Sequence, residues 1–131
     1  RKQMLKTLPA PIYGSDIRSD ALEFAEVNAK AAGVGHLLKF SRRDLRDFTP
    51  PDGPPGIIIC NPPYGERIGD FAELKPLYRA MGEVFEKRCR GWGCYVFTSL
   101  DSPYRELGKP KKSVPFWNGK IECRLFEFRY E

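Results

Sequence analysis

Ile57-Ile58-Ile59-Cys60, followed at once by Asn61-Pro62-Pro63-Tyr64-Gly65, is the feature that most limits what this chain can fold into. A short, continuous apolar run fits a strand buried on both faces of a parallel sheet. Two prolines in succession remove two backbone donors and fix φ, so the strand must end there and its backbone must leave along a set path. The Pro- and Gly-rich stretch over residues 49–56 reads as the loop that enters this strand.

The rest of the pattern fits around that strand. Residues 2–8 read as the end of a helix stopped by Pro9 and Pro11, and residues 12–17 as a short strand closing on an acid, Asp16. Ser19 or Asp20 is expected to cap a helix, with Glu23 near the capping-box position. Its apolar stripe is Ala21, Leu22, Ala25, Ala29 and Ala32, and Gly33 stops it. A weak alternation over 36–41 predicts a second strand leading into Arg42-Arg43-Asp44. Leu74, Leu77, Tyr78, Met81, Val84 and Phe85 then recur at helical spacing within a long helix over 71–90, ended by Gly91. Residues 94–98 read as the next strand, and a short helix or turn is expected near 104–107. Residues 111–116 and 121–130 make a hairpin joined at Asn118-Gly119. The expected fold is therefore α/β, with a mostly parallel sheet and a C-terminal antiparallel hairpin.

Composition narrows the class. With 41% hydrophobic and 30% charged residues among 131, the chain reads as ordinary soluble globular material. It has no apolar run near the ~20 residues that a membrane span needs. Cys60, Cys89, Cys94 and Cys123 form no Cys-x-x-Cys pair, and His36, the single histidine, has no metal-ligand spacing to them. No metal is expected, and free thiols in a reducing cytoplasm are the natural reading. The net charge of +5 gathers at Arg42, Arg43 and Arg46, at Lys87, Arg88 and Arg90, and at Lys109, Lys111 and Lys112. Such clusters suit a polyanionic partner, although each taken singly is more often a solvated face.

Ligands in open parallel sheets bind beyond the carboxyl ends of the strands. Asp16, Asp44 and residues 61–64 sit at such ends. A strand-end acid can accept hydrogen bonds from both hydroxyls of a ribose. Asn61 offers a side-chain oxygen, the proline loop offers fixed carbonyls, and the Tyr64 ring offers a stacking surface. Two acceptors beside an aromatic face suit an exocyclic amine on a flat base.

On these residues the chain resembles the class I methyltransferases that modify amino groups, whose fourth motif reads Asn/Asp-Pro-Pro-Tyr/Phe. The longer run Asn61-Pro62-Pro63-Tyr64-Gly65-Glu66-Arg67 is similar, more narrowly, to the RNA guanine-N2 methyltransferases that usually carry a THUMP domain. Bacterial members of that family methylate 23S ribosomal RNA, and archaeal and eukaryotic relatives methylate tRNA. Residues 13–17, Gly91-Trp92 and residues 118–123 carry the resemblance over nearly the whole chain.

The resemblance implies a Rossmann-like fold, S-adenosylmethionine as cofactor, a cytoplasmic location and an RNA substrate, ribosomal RNA before tRNA. By position, Asp16 would bind the cofactor ribose, Ile17 would pack on the adenine, and Asp44 would receive the adenine amino group with Leu45 beside it. Asn61 and the Pro62 carbonyl would orient the target amine, Pro63 would keep the loop rigid, and Tyr64 would stack on the base. Adenine-N6 methylation of DNA and glutamine-N5 methylation of protein use similar loops, and the Gly65-Glu66-Arg67 extension argues against both. A non-catalytic RNA-binding module is a third reading. The family's first strand and Gly-rich cofactor turn should precede Asp16 by tens of residues. The 131 residues are therefore expected to be the C-terminal part of one catalytic domain. An upstream segment or a second chain would complete the sheet beside residues 57–60.

Overall fold

The computed structural model describes residues 12–16, 18–63 and 70–131. The helix end expected over 2–8, the packing position Ile17, and the motif residues Tyr64, Gly65, Glu66 and Arg67 lie outside the described residues. The chain forms two compact units, residues 1–47 and residues 48–131.

In the first unit, strand β1 (Ile12–Asp16) and strand β2 (Leu38–Arg42) pair in parallel, with Ile12 opposite Leu38 and Asp16 opposite Arg42. Helix α1 (Ser19–Ala31) connects them. Its stripe is as expected at Ala21, Leu22, Ala25 and Ala29, while Ala32 is exposed. Gly33 ends the helix at φ +78°, a conformation costly for any residue with a Cβ. The cap differs from expectation. Arg18 is the N-cap and makes no side-chain cap hydrogen bond, while Asp20, inside the first turn, accepts the Ala21 backbone N–H at 3.0 Å. The other Asp20 oxygen pairs with the Arg18 guanidinium at 2.6 Å. Residues 35–37 form a 3-10 turn, so β2 begins at Leu38 rather than at His36.

The second unit is a four-stranded sheet with one long helix. Strand β3 (Ile57–Cys60) pairs in parallel with β4 (Gly93–Ser99). Antiparallel to β4 runs β6 (Ile121–Phe128), and β5 (Lys112–Asn118) pairs beyond it, giving the order β3-β4-β6-β5. Helix α2 (Asp70–Arg88) makes the parallel crossover. Register puts Cys94, Val96 and Thr98 of β4 on one face with Phe126 and Phe128 of β6, and all five are at most 4% exposed. Tyr78, Met81, Val84 and Phe85 of α2 are buried too, and the Phe85 and Phe128 rings lie 6.0 Å apart.

Two expectations need correction here. The Ile57–Cys60 run is a parallel strand, but it is not buried on both faces. Among the described residues it stands at the edge of the four-stranded sheet, with Ile57 65% and Ile59 74% exposed. These two share a face with Tyr95, opposite the face that includes Cys94 and Val96, so an apolar run alone did not fix two-sided burial. The hairpin turn also shifts by one residue. Asn118 pairs with Ile121, leaving Gly119 and Lys120 as the two-residue loop. Gly119 takes φ +65° at the first central position, where a two-residue turn of the II′ kind needs glycine.

Gly82 shows how closely α2 approaches the 3-10 turn at Tyr104–Leu107. A Cβ there would run into the Leu107 carbonyl oxygen and lie 3.0 Å from its carbon. In an open helix, Gly→Ala adds up to about 1 kcal/mol of stability. At Gly82 the backbone clash should reverse the sign, making Gly82→Ala about 1–3 kcal/mol less stable. Urea unfolding checks this, and unchanged or raised stability would contradict the packing.

Candidate active site

The site is built from the loop that leaves β3. Cys60, opposite Val96, is the last paired residue, and Asn61, Pro62 and Pro63 then leave the ladder in irregular conformation. Asn61 is exposed, so its amide is presented to solvent at the carboxyl end of a parallel strand. The prolines contribute no N–H, which leaves carbonyl oxygens as the loop's backbone handles. One handle is held. The Tyr78 hydroxyl on α2 donates to the Pro63 carbonyl oxygen at 2.7 Å.

That hydroxyl belongs to a buried series. Tyr78 Oη lies 2.8 Å from Thr98 Oγ1, Thr98 Oγ1 lies 3.0 Å from Ser102 Oγ, and Ser102 donates to the Ser99 carbonyl at 2.6 Å. Tyr78, Thr98 and Ser102 are at most 1% exposed. Hydroxyls in so dry a setting must find partners, and these find each other. Among the described residues, no buried side-chain polar atom lacks a hydrogen-bond partner.

The two strand-end acids of the first unit share a local design. Asp16 Oδ1 accepts the Arg18 backbone N–H at 2.9 Å, and Asp44 Oδ1 accepts that of Arg46 at 2.8 Å. The Arg43 N–H donates to the Asp16 carbonyl at 2.9 Å, which ties the two strand ends together. Parallel pairing thus brings Asp16 and the Asp44-Leu45 turn to the same end of β1 and β2. Leu45 opens a 3-10 turn that runs to Asp47. A pair of carboxylates at neighbouring strand ends is a donor-accepting set that fits a ribose and an amino group.

Several basic residues have partners nearby. Arg46 lies 3.5 Å from Asp44, Lys87 lies 4.0 Å from Glu83, and Arg88 and Arg90 donate to the Phe48 and Glu131 carbonyls. The 87–90 cluster therefore has structural work at the end of α2. Among the described residues, no group of three or more His, Cys, Asp or Glu is placed to hold a metal, and no helix is long and apolar enough to cross a membrane.

Comparison with known proteins decides the family. The family model for the RMKL-like methyltransferase domain, UPF0020, matches residues 1–126. The chain belongs to that family. A ribosomal RNA large subunit methyltransferase K/L from Psychromonas ingrahamii is 40% identical over 119 residues, covering 89% of this chain and 16% of its own length. A protein of the same name from Pseudomonas paraeruginosa is 38% identical, covering 97% of this chain and 18% of its own. The chain thus spans under a fifth of either relative.

Solved structures agree on the fold. A possible methylase from Clostridium difficile 630 superposes with TM-score 0.83 at 34% identity, over 98% of this chain and 33% of that one. SMU.472, solved in complex with SAH, gives 0.80 at 31% identity over 92% of this chain and 32% of that one. A protein from Listeria monocytogenes, named a predicted N6-adenine-specific DNA methylase, gives 0.76 at 33% identity over 92% and 30%. The methyltransferase fold read from the sequence is the fold of this domain.

Sequence reasoning placed Tyr78 only in the apolar stripe of a helix and gave Thr98 and Ser102 no role. The available signal was chemical: a tyrosine at a core position carries a hydroxyl that must reach a partner.

Cys60, next to Asn61, is half-buried at the end of β3. Burial pushes its thiol up to about 12, with Cys89 nearby adding to the shift. At pH 8 its thiolate fraction is then on the order of one in ten thousand, so it serves neither as nucleophile nor as base. Iodoacetamide should alkylate Cys60 at least about a hundredfold more slowly than a free thiol in the native protein, and at an ordinary rate after unfolding. Peptide mapping by mass spectrometry reads this, and fast native labelling would contradict the burial.

Proposed function

We propose that this domain transfers a methyl group from S-adenosylmethionine to the exocyclic N2 amine of a guanine in RNA, with large-subunit ribosomal RNA as the substrate. The observation that carries the reading is the exit of Asn61-Pro62-Pro63 from the carboxyl end of β3, in a chain of the RMKL-like family. The names of the curated relatives support ribosomal RNA, and the SAH complex of SMU.472 supports the cofactor. The Gly65-Glu66-Arg67 extension of the loop supports guanine N2.

When bound, S-adenosylmethionine supplies a methyl group activated by its sulfonium. Asp16 would accept the ribose hydroxyls, with Ile17 against the adenine. Asp44 would accept the adenine amino group, with Leu45 as its neighbour. Asn61 Oδ1 and the Pro62 carbonyl would take the two N–H groups of the target amine and aim its nitrogen, with Pro63 holding the loop rigid. Tyr64 would stack on the base. An aromatic amine of this kind is barely basic, so its proton leaves late, to water, and alignment rather than base strength is what the loop contributes. Alignment of this kind supplies several kcal/mol of a barrier. Adenine-N6 methylation is the second reading, favoured by the name of the Listeria monocytogenes protein.

Asn61→Ala in the full-length protein should lower the methyl-transfer rate by about a hundredfold or more, a loss on the order of 3 kcal/mol in the transition state. Cofactor affinity, measured by calorimetry, should change less than about threefold. Near-wild-type turnover on ribosomal RNA would end the proposal.

A further inference from the structure

We infer that Tyr78 is a positioning residue for the methyl-acceptor loop, its hydroxyl fixing the Pro63 carbonyl so that Asn61 and Pro62 are tethered at both ends. The inference rests on the function proposed above and deepens it. The tether at one end is the β3–β4 ladder, whose last pair is Cys60 with Val96. At the other end is the 2.7 Å hydrogen bond from Tyr78. Between them lie three residues, two of which are prolines with fixed φ. Holding the last carbonyl of so short and stiff a segment removes most of its remaining torsional freedom, and with it the freedom of the Asn61 amide to miss its target.

A blander account is that a buried tyrosine hydroxyl merely needs a partner. Thr98, at 2.8 Å, would already satisfy it. Counting protons separates the two accounts. Tyr78, Thr98 and Ser102 bring three hydroxyl protons to four links: Pro63 O, the Tyr78–Thr98 contact, the Thr98–Ser102 contact and Ser99 O. A carbonyl can only accept, so the terminal links consume the Tyr78 and Ser102 protons. Thr98 is left to donate to Tyr78 or to Ser102, one at a time. The donation to Pro63 therefore depends on Tyr78 and not on Thr98. Removing the Tyr78 hydroxyl frees the loop, whereas removing the Thr98 hydroxyl takes an equally buried group from the same series and leaves the loop held.

The test compares Tyr78→Phe with Thr98→Val in the full-length protein. Tyr78→Phe should lower kcat on ribosomal RNA by about tenfold, the scale of one lost positioning hydrogen bond. KM for S-adenosylmethionine should stay within about twofold, and Thr98→Val should keep kcat within about threefold. The carbon-13 resonance of the Pro63 carbonyl, read through the Tyr64 amide, should move in Tyr78→Phe and stay in Thr98→Val. Equal kcat for Tyr78→Phe and wild type, or equal losses in both variants, would overturn the inference. If Tyr78→Phe does not fold, the wild-type Pro63 carbonyl resonance should shift between H2O and D2O, because it accepts from an exchangeable hydroxyl, and an unshifted resonance would overturn the inference. A wild-type protein that methylates no RNA removes the proposed function, and an unmoved Pro63 resonance separately removes the tether.

Discussion

Parallel pairing between β3 and β4 organises the second unit. Two parallel strands cannot be joined by a tight turn, because the chain must travel back the length of the sheet before pairing again. That return is α2, and it must lie on a face of the sheet to bury its own stripe. It lies over Cys94, Val96 and Thr98, which brings Tyr78 within reach of the loop leaving β3. The crossover that satisfies the backbone is thus also the element that grips the loop leaving β3. Antiparallel pairing of β4 with β6 then fixes β4 from its other side.

Placing hydroxyls inside an apolar layer has a clear physical trade. A buried hydroxyl without a partner costs about 1–3 kcal/mol, while a satisfied one returns only about 1 kcal/mol net. An apolar side chain at position 98 would be the simpler way to build the same core. What the polar series provides is direction: its carbonyl ends take protons from Tyr78 and Ser102 in one sense only, so the loop and the turn after β4 are each held by a defined donor. In the first unit, carboxylates do comparable work, Asp16 and Asp44 each fastening the backbone two residues on.

Much of this was legible in the sequence because its signals are local. The helical spacing from Leu74 to Phe85, the glycines at 33 and 91, and the apolar run before two prolines each answer to the geometry of one element. The failures came where a neighbour decides. Ile57 and Ile59 carry the composition of a doubly buried strand, yet burial depends on what lies on each face, and an apolar run holds no record of that. Ser19 and Asp20 both have capping chemistry, yet Arg18 takes the N-cap position and Asp20 serves the Ala21 N–H from inside the first turn. Tyr78 was visible as a core residue, but its hydroxyl partner lies fifteen residues back at Pro63, a pairing that topology alone creates.

The central claim is that the Asn61–Pro63 loop presents a guanine amine in RNA for methylation. The most direct measurement is to incubate the full-length protein with unmethylated large-subunit ribosomal RNA and labelled S-adenosylmethionine, digest the product and identify the labelled nucleoside. The account predicts label in N2-methylguanosine and none in methylated adenosines. Label confined to N6-methyladenosine, or RNA that stays unlabelled while the protein turns over another substrate, would contradict it.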